Sequence, residues 1–283
     1  SKPNIQAGEY ALTPSMTPKE MIEKFVRGDV VIHSLTVTLV EGKRITDYAK
    51  LLSEKFNFTE ADFLKQISDY EFLQTLVNNE DYWFIGSEIL NENLYYPLEG
   101  YLYPDTYEFL ETVTPKEVIL TLLNHMTTKL EGYKEEIQKR ETSFHDILTM
   151  ASIVEIEENT KNDRETAAQV FYSRISANDT LGSDVTAFYG ARKEMGKDAE
   201  TFEVLNSANP YNTRLQDGTM NGKLPIGAVS NPSIESIEAA LHPSETDYYY
   251  FVANVCTGEV FFQNTSEEFL QKCEELRNIC SSN

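Results

Sequence analysis

Residues 143–157 read SFHDILTMASIVEIE, and this segment carries the most structural information in the chain. Ser143 and Asp146 give the start signal of a helix that we expect to run to about Glu158. Apolar residues recur on one face of this helix, at positions 147, 150, 151, 153 and 154. This spacing is typical of a helix that packs one side against a hydrophobic core. The segment therefore predicts an amphipathic helix with a buried face.

Two glutamates near the end of this helix are candidates for acid chemistry. Glu157 falls on the apolar face, and Glu155 lies at its edge beside Leu148. A carboxylate on a buried face loses its hydration, so its pKa rises, and a general acid needs a raised pKa to hold a proton near neutrality. The alternative is an acidic helix end whose carboxylates reach solvent or pair with Arg164 or Arg174.

Signals outside this segment predict both helices and strands. Thr-Pro-Lys-Glu occurs at 17–20 and at 114–117, and each is a capping box with Pro at the first helical position. Thr59, three residues before Asp62, predicts a further helix start. Apolar residues alternate over 30–40, as in a half-buried strand, and residues 248–263 predict an aromatic hairpin. The expected fold class is therefore α+β.

The order of these signals suggests two units. Residues 1–80 are expected to form a small α/β module with the order strand, helix, strand, helix. Residues 81–283 are expected to form a larger mixed α+β domain, and a fragment that begins near Asn79 should keep a folded core. Within this domain, residues 179–232 are rich in Gly, Asn and Pro and look like one long loop. Because structureless connections are seldom so long, this loop is either functional or contains short elements.

The charge of the chain excludes several classes of partner. It has 24 Lys and Arg against 46 Asp and Glu, which gives a net charge of −22. Binding of nucleic acid or of an anionic lipid surface requires clustered basic residues, so neither is expected. The three cysteines and four histidines show no metal-binding spacing, and we predict neither a metal nor a cofactor. Cys273 and Cys280 lie seven positions apart on the predicted final helix, where free thiols are expected.

Two further segments could bind a ligand. Residues 209–213, Asn-Pro-Tyr-Asn-Thr, offer a phenol, a carboxamide and a hydroxyl, which suit a sugar or an amide. Ordinary turn chemistry is the alternative for this segment. The tyrosines between 95 and 107 could stack on sugar rings, and the alternative is that they belong to the core.

Several motifs together resemble the endolytic murein transglycosylases, the YceG-like family. They are LEGYLYPDTY at 98–107, ASIVEIE at 151–157, PYNT at 210–213, and then NP at 231–232, AALHP at 239–243 and YFVA at 250–253. The front module, with Gly8, Tyr10, Gly28 and the pair Glu41-Gly42, is similar to the LysM-like domain of that family. The resemblance covers nearly the whole chain in the same order.

This resemblance implies a membrane-anchored enzyme that acts outside the cytoplasm, with an N-terminal transmembrane helix beyond these residues. It implies cleavage within peptidoglycan glycan strands, at the MurNAc–GlcNAc β-1,4 bond, with formation of 1,6-anhydro-MurNAc ends. One Glu acts as acid and base in this reaction, and we favour Glu157 with Glu155 in reserve. Peptidoglycan synthases are the implied protein partners.

The motifs also suggest substrate-binding residues. The family usually has Leu-Gln-Thr/Ser-Asp-Pro where residues 181–185 read LGSDV, so this run is expected on a binding loop. The candidates are Tyr211, Asn212, Thr213, Ser183, Asp184, Glu99 and Tyr101.

Two other functions remain open from the sequence. In the first, the protein is a non-catalytic peptidoglycan-binding scaffold for cell-wall synthases, and its Glu is vestigial. In the second, it is a hydrolase that uses water, which requires a second carboxylate opposite Glu157. Asp184 is the candidate for that second carboxylate.

Overall fold

A computed structural model describes residues 5–31, 33–157, 161–198, 201–254 and 256–280. These ranges form helices and two small antiparallel sheets, so the expected α+β class is confirmed. The helices are α1 (Pro18–Arg27), α2 (Ile45–Ser53), α3 (Glu60–Ile67), α4 (Tyr70–Val77), α5 (Pro115–Leu130), α6 (Lys134–Lys139), α7 (Phe144–Glu157), α8 (Lys161–Ser176), α9 (Asp184–Gly190), α10 (Phe202–Leu205), α11 (Ile234–Leu241) and α12 (Ser266–Cys280). The strands are β1 (Ser34–Thr38), β2 (Thr106–Leu110), β3 (Tyr250–Ala253) and β4 (Val260–Gln263).

Helices begin where the capping signals predict. The hydroxyls of Thr17, Thr59 and Thr114 each accept a hydrogen bond from a backbone N–H in the first turn, and the acid three residues later completes a capping box. At the start of α7, Ser143 Oγ accepts from the backbone N–H of Asp146 at 3.1 Å. These contacts satisfy backbone donors that have no partner inside a helix.

Helix α7 lies at the centre of the larger part of the chain. It packs against α8, α9 and α11, and every residue from Phe144 to Val154 except Asp146 is buried. The expectation of a single apolar face is therefore wrong, because neighbours cover this helix on all sides. Glu155 and Glu157 belong to its last turn, and Glu158 lies outside the described residues.

The two sheets connect different parts of the chain. β3 and β4 form the expected hairpin, with Phe251 opposite Phe262. β1 pairs antiparallel with β2, and Val37 faces Tyr107. The expected second strand of the front module is thus supplied from beyond residue 100. The boundary at residue 80 stays a prediction, and this strand pair crosses it.

The segment 179–232 contains two short helices, α9 and α10, in addition to turns. Cys256 is disulfide-bonded, whereas Cys273 is a half-buried free thiol, as expected for that residue.

Of the helices in the described ranges, none is both long enough and apolar enough to cross a bilayer.

Candidate active site

A cleft of about 500 Å³ opens at the C-terminal end of α7. Glu157 and Arg174 reach it from α7 and α8, and residues 179–184 form one wall. Residues 250–253 of the hairpin and Phe269 of α12 also line the cleft. Concave sites with a few converging polar groups are the usual places for ligand binding. Within the described ranges, no three His, Cys, Asp or Glu side chains are grouped so that they could hold a metal ion.

Glu157 is the last residue of α7, and its carboxylate faces the cleft. Ser183 Oγ donates a hydrogen bond to Glu157 Oε1 at 2.6 Å. The pKa of Glu157 is raised above its ordinary value, chiefly because burial removes water from the charged form. The negative charge of Asp184 adds to this rise in pKa, whereas the Ser183 hydrogen bond, Arg174 and Arg214 oppose it. A carboxylic acid that keeps its proton to higher pH is suited to donate it to a leaving group.

Glu155, two residues earlier, has a different environment. Its side chain is only 6% exposed and pairs with Arg164, with 3.0 Å between Nη2 and Oε1. Its other oxygen, Oε2, accepts from Ser233 N at 2.8 Å, from Ser233 Oγ at 2.5 Å and from Ser236 Oγ at 2.7 Å. Glu155 therefore fixes the N-terminus of α11 to α7, where a negative charge is also favoured by the helix dipole. It does not line the cleft.

Two arginines bring positive charge to the cleft. Arg174 Nε donates to the backbone carbonyl of Tyr249 at 3.1 Å, and its guanidinium lies 5.5 Å from the ring centroid of Tyr250. Arg214 forms an ion pair with Asp184. From the sequence, Arg174 is expected only as a partner for a structural glutamate, and Arg214 is not among the expected site residues. The available signal was the position of Arg214 directly after the PYNT motif.

Ser183 and Thr213 connect the two loops on this side of the cleft. The backbone N–H of Ser183 donates to Thr213 Oγ1 at 3.3 Å, and Gly182 N donates to the carbonyl of Thr213 at 3.0 Å. Thr213 Oγ1 is also 2.7 Å from Thr186 Oγ1. Thr213 therefore fixes the backbone of Ser183, whose side chain bonds Glu157. Of the predicted binding residues, Ser183 and Asp184 line the cleft and Thr213 does not.

Tyr211 and Asn212 lie away from the cleft and are completely buried. Tyr211 OH accepts a hydrogen bond from the backbone N–H of Tyr95 at 3.0 Å, and its ring packs against that of Tyr189, with the centroids 4.8 Å apart. Asn212 Nδ2 donates to the carbonyls of Leu205 and Ser207, at 3.0 and 2.9 Å. Their functional groups are thus occupied by contacts within the protein.

Glu99 and Tyr101 are also buried and do not line the cleft. Glu99 accepts from Ile45 N at 2.8 Å, from Asn231 Nδ2 at 3.2 Å and from Tyr189 OH at 2.9 Å. Burial raises the pKa of Glu99 to about 7. Tyr101 OH lies 3.0 Å from Nδ1 of a buried histidine in the core. Glu99 therefore connects the start of α2, at Ile45, to Tyr189 and Asn231.

Comparisons with known proteins agree with one another. A sequence model of the YceG-like family matches residues 1–275. The chain is 34% identical over 265 residues to the endolytic murein transglycosylase of Bacillus subtilis, covering 93% of this chain and 71% of that protein. It is 28% identical over 280 residues to the protein of the same name from Streptococcus pneumoniae serotype 2, and these residues are 94% of this chain but 49% of that protein. A crystal structure of a YceG-like protein from Listeria monocytogenes is similar with a TM-score of 0.77 and 34% identity, over 95% of this chain and 85% of that one.

Proposed function

The chain belongs to the YceG-like family, and from this membership we infer that it is an endolytic murein transglycosylase, an enzyme that cleaves the glycan strands of peptidoglycan. We propose that the cleft at the end of α7 is its active site and that Glu157 is its acid and base. The observation that carries this proposal is the surroundings of Glu157, a carboxylic acid of raised pKa in an open cleft.

The reaction proceeds in two proton transfers through one carboxyl group. Protonated Glu157 gives its proton to the oxygen between MurNAc C1 and GlcNAc C4, and the C1–O bond breaks. The resulting carboxylate then takes the proton of the MurNAc 6-hydroxyl while O6 bonds to C1. The products are a 1,6-anhydro-MurNAc end and a GlcNAc with a free 4-hydroxyl, and no water is consumed. Glu157 returns to its protonated form.

The other carboxylates of the cleft support a mechanism with a single acid. Asp184 is paired with Arg214, and Asp179 accepts hydrogen bonds from Tyr249 OH at 3.1 Å and from Thr180 N at 2.7 Å. Both are occupied, so neither is prepared to activate a water molecule. A water-activating partner for Glu157 is required by the hydrolase alternative.

The remaining candidates serve the site indirectly in this proposal. Ser183 tunes and orients Glu157, Asp184 fixes Arg214 at the rim, and Thr213 holds Ser183 in place. Tyr211, Asn212, Glu99 and Tyr101 support the surrounding loops from the interior. Tyr211, Asn212, Glu99 and Tyr101 are therefore positioning residues and do not contact the substrate.

The cellular setting follows from the substrate. Peptidoglycan lies outside the cytoplasm, and a disulfide at Cys256 is suited to an oxidising compartment. We propose that the protein acts there, anchored by a transmembrane helix, in association with peptidoglycan synthases.

Mass spectrometry of the products released from purified peptidoglycan tests the function. The wild type should release anhydro-MurNAc ends. Glu157→Gln keeps the size of the side chain but has no transferable proton, so the rate should fall by about 10²–10⁴-fold while the fold is retained. Wild-type rates from this variant would reject Glu157 as the acid.

Glu155→Gln is the matched control, since it makes the same change on the same helix. It should lower the melting temperature, because Glu155 is buried and paired with Arg164, and should leave the rate per folded molecule nearly normal. Release of reducing ends by the wild type would indicate a hydrolase instead. If neither the wild type nor any variant released glycan fragments, the protein would be a scaffold.

A further inference from the structure

A second groove, of about 420 Å³, lies beside the cleft and is lined mainly by charged and aromatic residues. Four basic residues line it, Lys43, Arg44, Arg192 and Lys197, against two acidic ones, Asp47 and Glu194. The surplus of positive charge is notable in a chain whose net charge is −22. Neither the chemistry at Glu157 nor its hydrogen-bonding neighbours involves these basic side chains.

Three of the basic side chains have no acidic group within ion-pair distance in the part of the chain that the structure describes. Lys197 pairs with Glu194. Among the residues that the structure describes, Lys43, Arg44 and Arg192 form no ion pair within 4.0 Å. Lys43 and Arg192 are exposed and Arg44 is half-buried. These side chains are available to an anion from outside the protein.

The two arginines are held in place by a pair of tyrosine rings. The guanidinium of Arg192 lies 4.3 Å from the ring centroid of Tyr95, and that of Arg44 lies 5.0 Å from the centroid of Tyr189. The rings are stacked on each other at 5.8 Å, and both hydroxyls are bonded on the inner side, Tyr95 to the carbonyl of Gly190 and Tyr189 to Glu99. A guanidinium that is fixed in this way loses little entropy when it binds a ligand.

The backbone at two positions beside the groove has a positive φ. Arg192 adopts a φ of 55°, in the left-handed region that an L-residue with a large side chain seldom occupies. On the other side, a turn at Gly42 with a φ of 70° precedes Lys43, whose carbonyl accepts from Asn231 N and Nδ2, both at 3.0 Å. Strained backbone that surrounding contacts maintain is common at binding sites.

The groove and the cleft are adjacent. Ile156 lines the groove and Glu157, the next residue, lines the cleft. Helix α9 runs from Asp184 at the cleft to Tyr189 at the groove, and its seven residues span about 10 Å. A glycan strand bound at Glu157 therefore brings the peptide attached to its MurNAc unit within reach of the groove.

We propose that this groove binds the carboxylate groups of the short peptide carried by the glycan strand, an inference that rests on the proposed function. Arginine and lysine pair with carboxylates, and the tyrosine rings and Met195 provide apolar surface for the hydrocarbon part of the peptide. Since two acidic residues share the groove, the surplus charge matches a ligand with one or two negative charges better than a polyanion.

Isothermal titration calorimetry with a soluble muramyl tripeptide tests this inference, because binding can be measured without bond cleavage. The matched ligand is the same tripeptide with its carboxylates converted to amides. The wild type should bind the acid form about tenfold or more tightly than the amide form, the difference expected from one charge-assisted hydrogen bond. This difference should shrink as the salt concentration rises.

Variants locate the binding. Arg192→Gln and Lys43→Gln should each reduce the affinity for the acid form towards that for the amide form. Lys193→Gln is the control, because Lys193 is exposed, lies 3.7 Å from Asp198 and does not line the groove. It should bind the acid form like the wild type.

Equal affinity of the wild type for the two forms of the tripeptide would overturn the inference, and so would unchanged binding by Arg192→Gln. Displacement of the tripeptide by equimolar inorganic phosphate would assign the groove to phosphate and overturn it also. If the wild type released anhydro products but did not bind the tripeptide, this inference would be rejected and the proposed function would stand. If the wild type bound the tripeptide but cleaved no peptidoglycan, the proposed function would be rejected and the binding groove would stand.

Discussion

The oxygens of Glu155 and Glu157 have different partners, although the two residues are neighbours on one helix. Glu155 is surrounded by Arg164, Ser233 and Ser236, whereas the hydrogen bond of Glu157 comes from Ser183. Both oxygens of Glu155 are therefore held by contacts within the protein, and its side chain does not line the cleft. The Ser183 hydroxyl lowers the pKa of Glu157 less than burial raises it.

The Ser183 hydroxyl should therefore set the pH range of the reaction. Ser183→Ala removes a hydrogen bond that lowers the pKa of Glu157, so the pKa should rise further and the acid should stay protonated to higher pH. The alkaline limb of kcat/KM against pH, which reports the acid of the free enzyme, should move upwards. Ser53→Ala, at the end of α2 and outside the cleft, should leave the profile unchanged. An alkaline limb that stays in place would mean that Ser183 does not tune Glu157.

At the scale of elements, the loop that carries the PYNT motif is a structural support for the cleft. Asn212 is buried and bonds Leu205, Ser207 and, through Oδ1, the backbone N–H of Arg214 at 3.0 Å. Thr213 then bonds the start of α9. The loop thus holds Ser183 and Arg214 at the cleft without contributing its own Tyr and Asn side chains.

Asn212→Ala should consequently lower stability as well as activity. The Leu205 carbonyl and the Arg214 N–H lose a half-buried hydrogen bond, and the Ser207 carbonyl keeps only the bond from Asn209 Nδ2. A group left without a partner away from water costs about 1–3 kcal/mol. The midpoint of urea unfolding should fall clearly, together with the rate. Asn206→Ala is the control in the same segment, because the Asn206 amide is exposed and bonds only the carbonyl of Phe202. A normal midpoint with a reduced rate would instead support direct contact between Asn212 and the substrate.

The parts of the fold that sequence analysis predicted depend on local chemistry. Capping boxes at Thr17, Thr59 and Thr114 lie within four residues of the helices that they start, so they can be recognised without tertiary information. Helix α9 was missed because it has seven residues and its N-cap, Ser183, makes no side-chain capping bond. That hydroxyl bonds Glu157 instead.

The candidate site was predicted only in part for a different reason. Glu157 was preferred over Glu155 for its place on an apolar face, but α7 is buried on all sides and its faces do not distinguish the two. The distinction comes from residues far away in sequence, such as Ser183 for Glu157 and Ser233 for Glu155, which lie 26 and 78 positions away. Periodicity within one helix contains no information about such partners.

At the scale of the whole molecule, Glu99 connects Ile45 to Tyr189 and Asn231, which lie far apart in sequence, in a pH-dependent manner. Its pKa is about 7 in the folded protein, against 4.5 for a glutamate side chain that is surrounded by water. The folded state therefore holds this proton more tightly than the unfolded state does. The stability that protonated Glu99 contributes to the folded state is fully present below pH 4.5 and is lost as the pH rises through about 7. It amounts to at most about 3 kcal/mol, since one pKa unit corresponds to about 1.4 kcal/mol.

Glu99→Gln should remove this dependence. The amide keeps an acceptor for Ile45 N and Asn231 and cannot ionise, so the variant should gain stability relative to the wild type as the pH increases from 5 to 7.5. Unfolding free energies measured at several pH values test this expectation. Glu92→Gln, an exposed position, should follow the wild type at every pH. Parallel curves for Glu99→Gln and the wild type would show that Glu99 does not retain its proton.

A fragment that begins at Asn79 should not unfold cooperatively like the full chain. It lacks β1, the partner of β2, so Tyr107 and Phe109 lose the side chains that cover them. It also lacks Ile45, which bonds Glu99. We expect a broadened transition at a lower temperature in calorimetry and a weakened near-ultraviolet circular dichroism signal. A sharp transition at the full-length temperature would establish residues 81–283 as an independent domain, as the sequence alone suggests.

The pairing of β1 with β2 also determines the order in which the chain can fold. Thr38 and Thr106, which face each other in this sheet, are separated by 68 residues. As the polypeptide emerges from the ribosome, β1 is an edge without a neighbour until β2 has followed it, and a long loop must close before the ladder forms. Unpaired edges attract other chains. During synthesis, the front of the protein therefore depends on the later segment for protection against aggregation, and its own sheet cannot form until β2, which ends at Leu110, has been made.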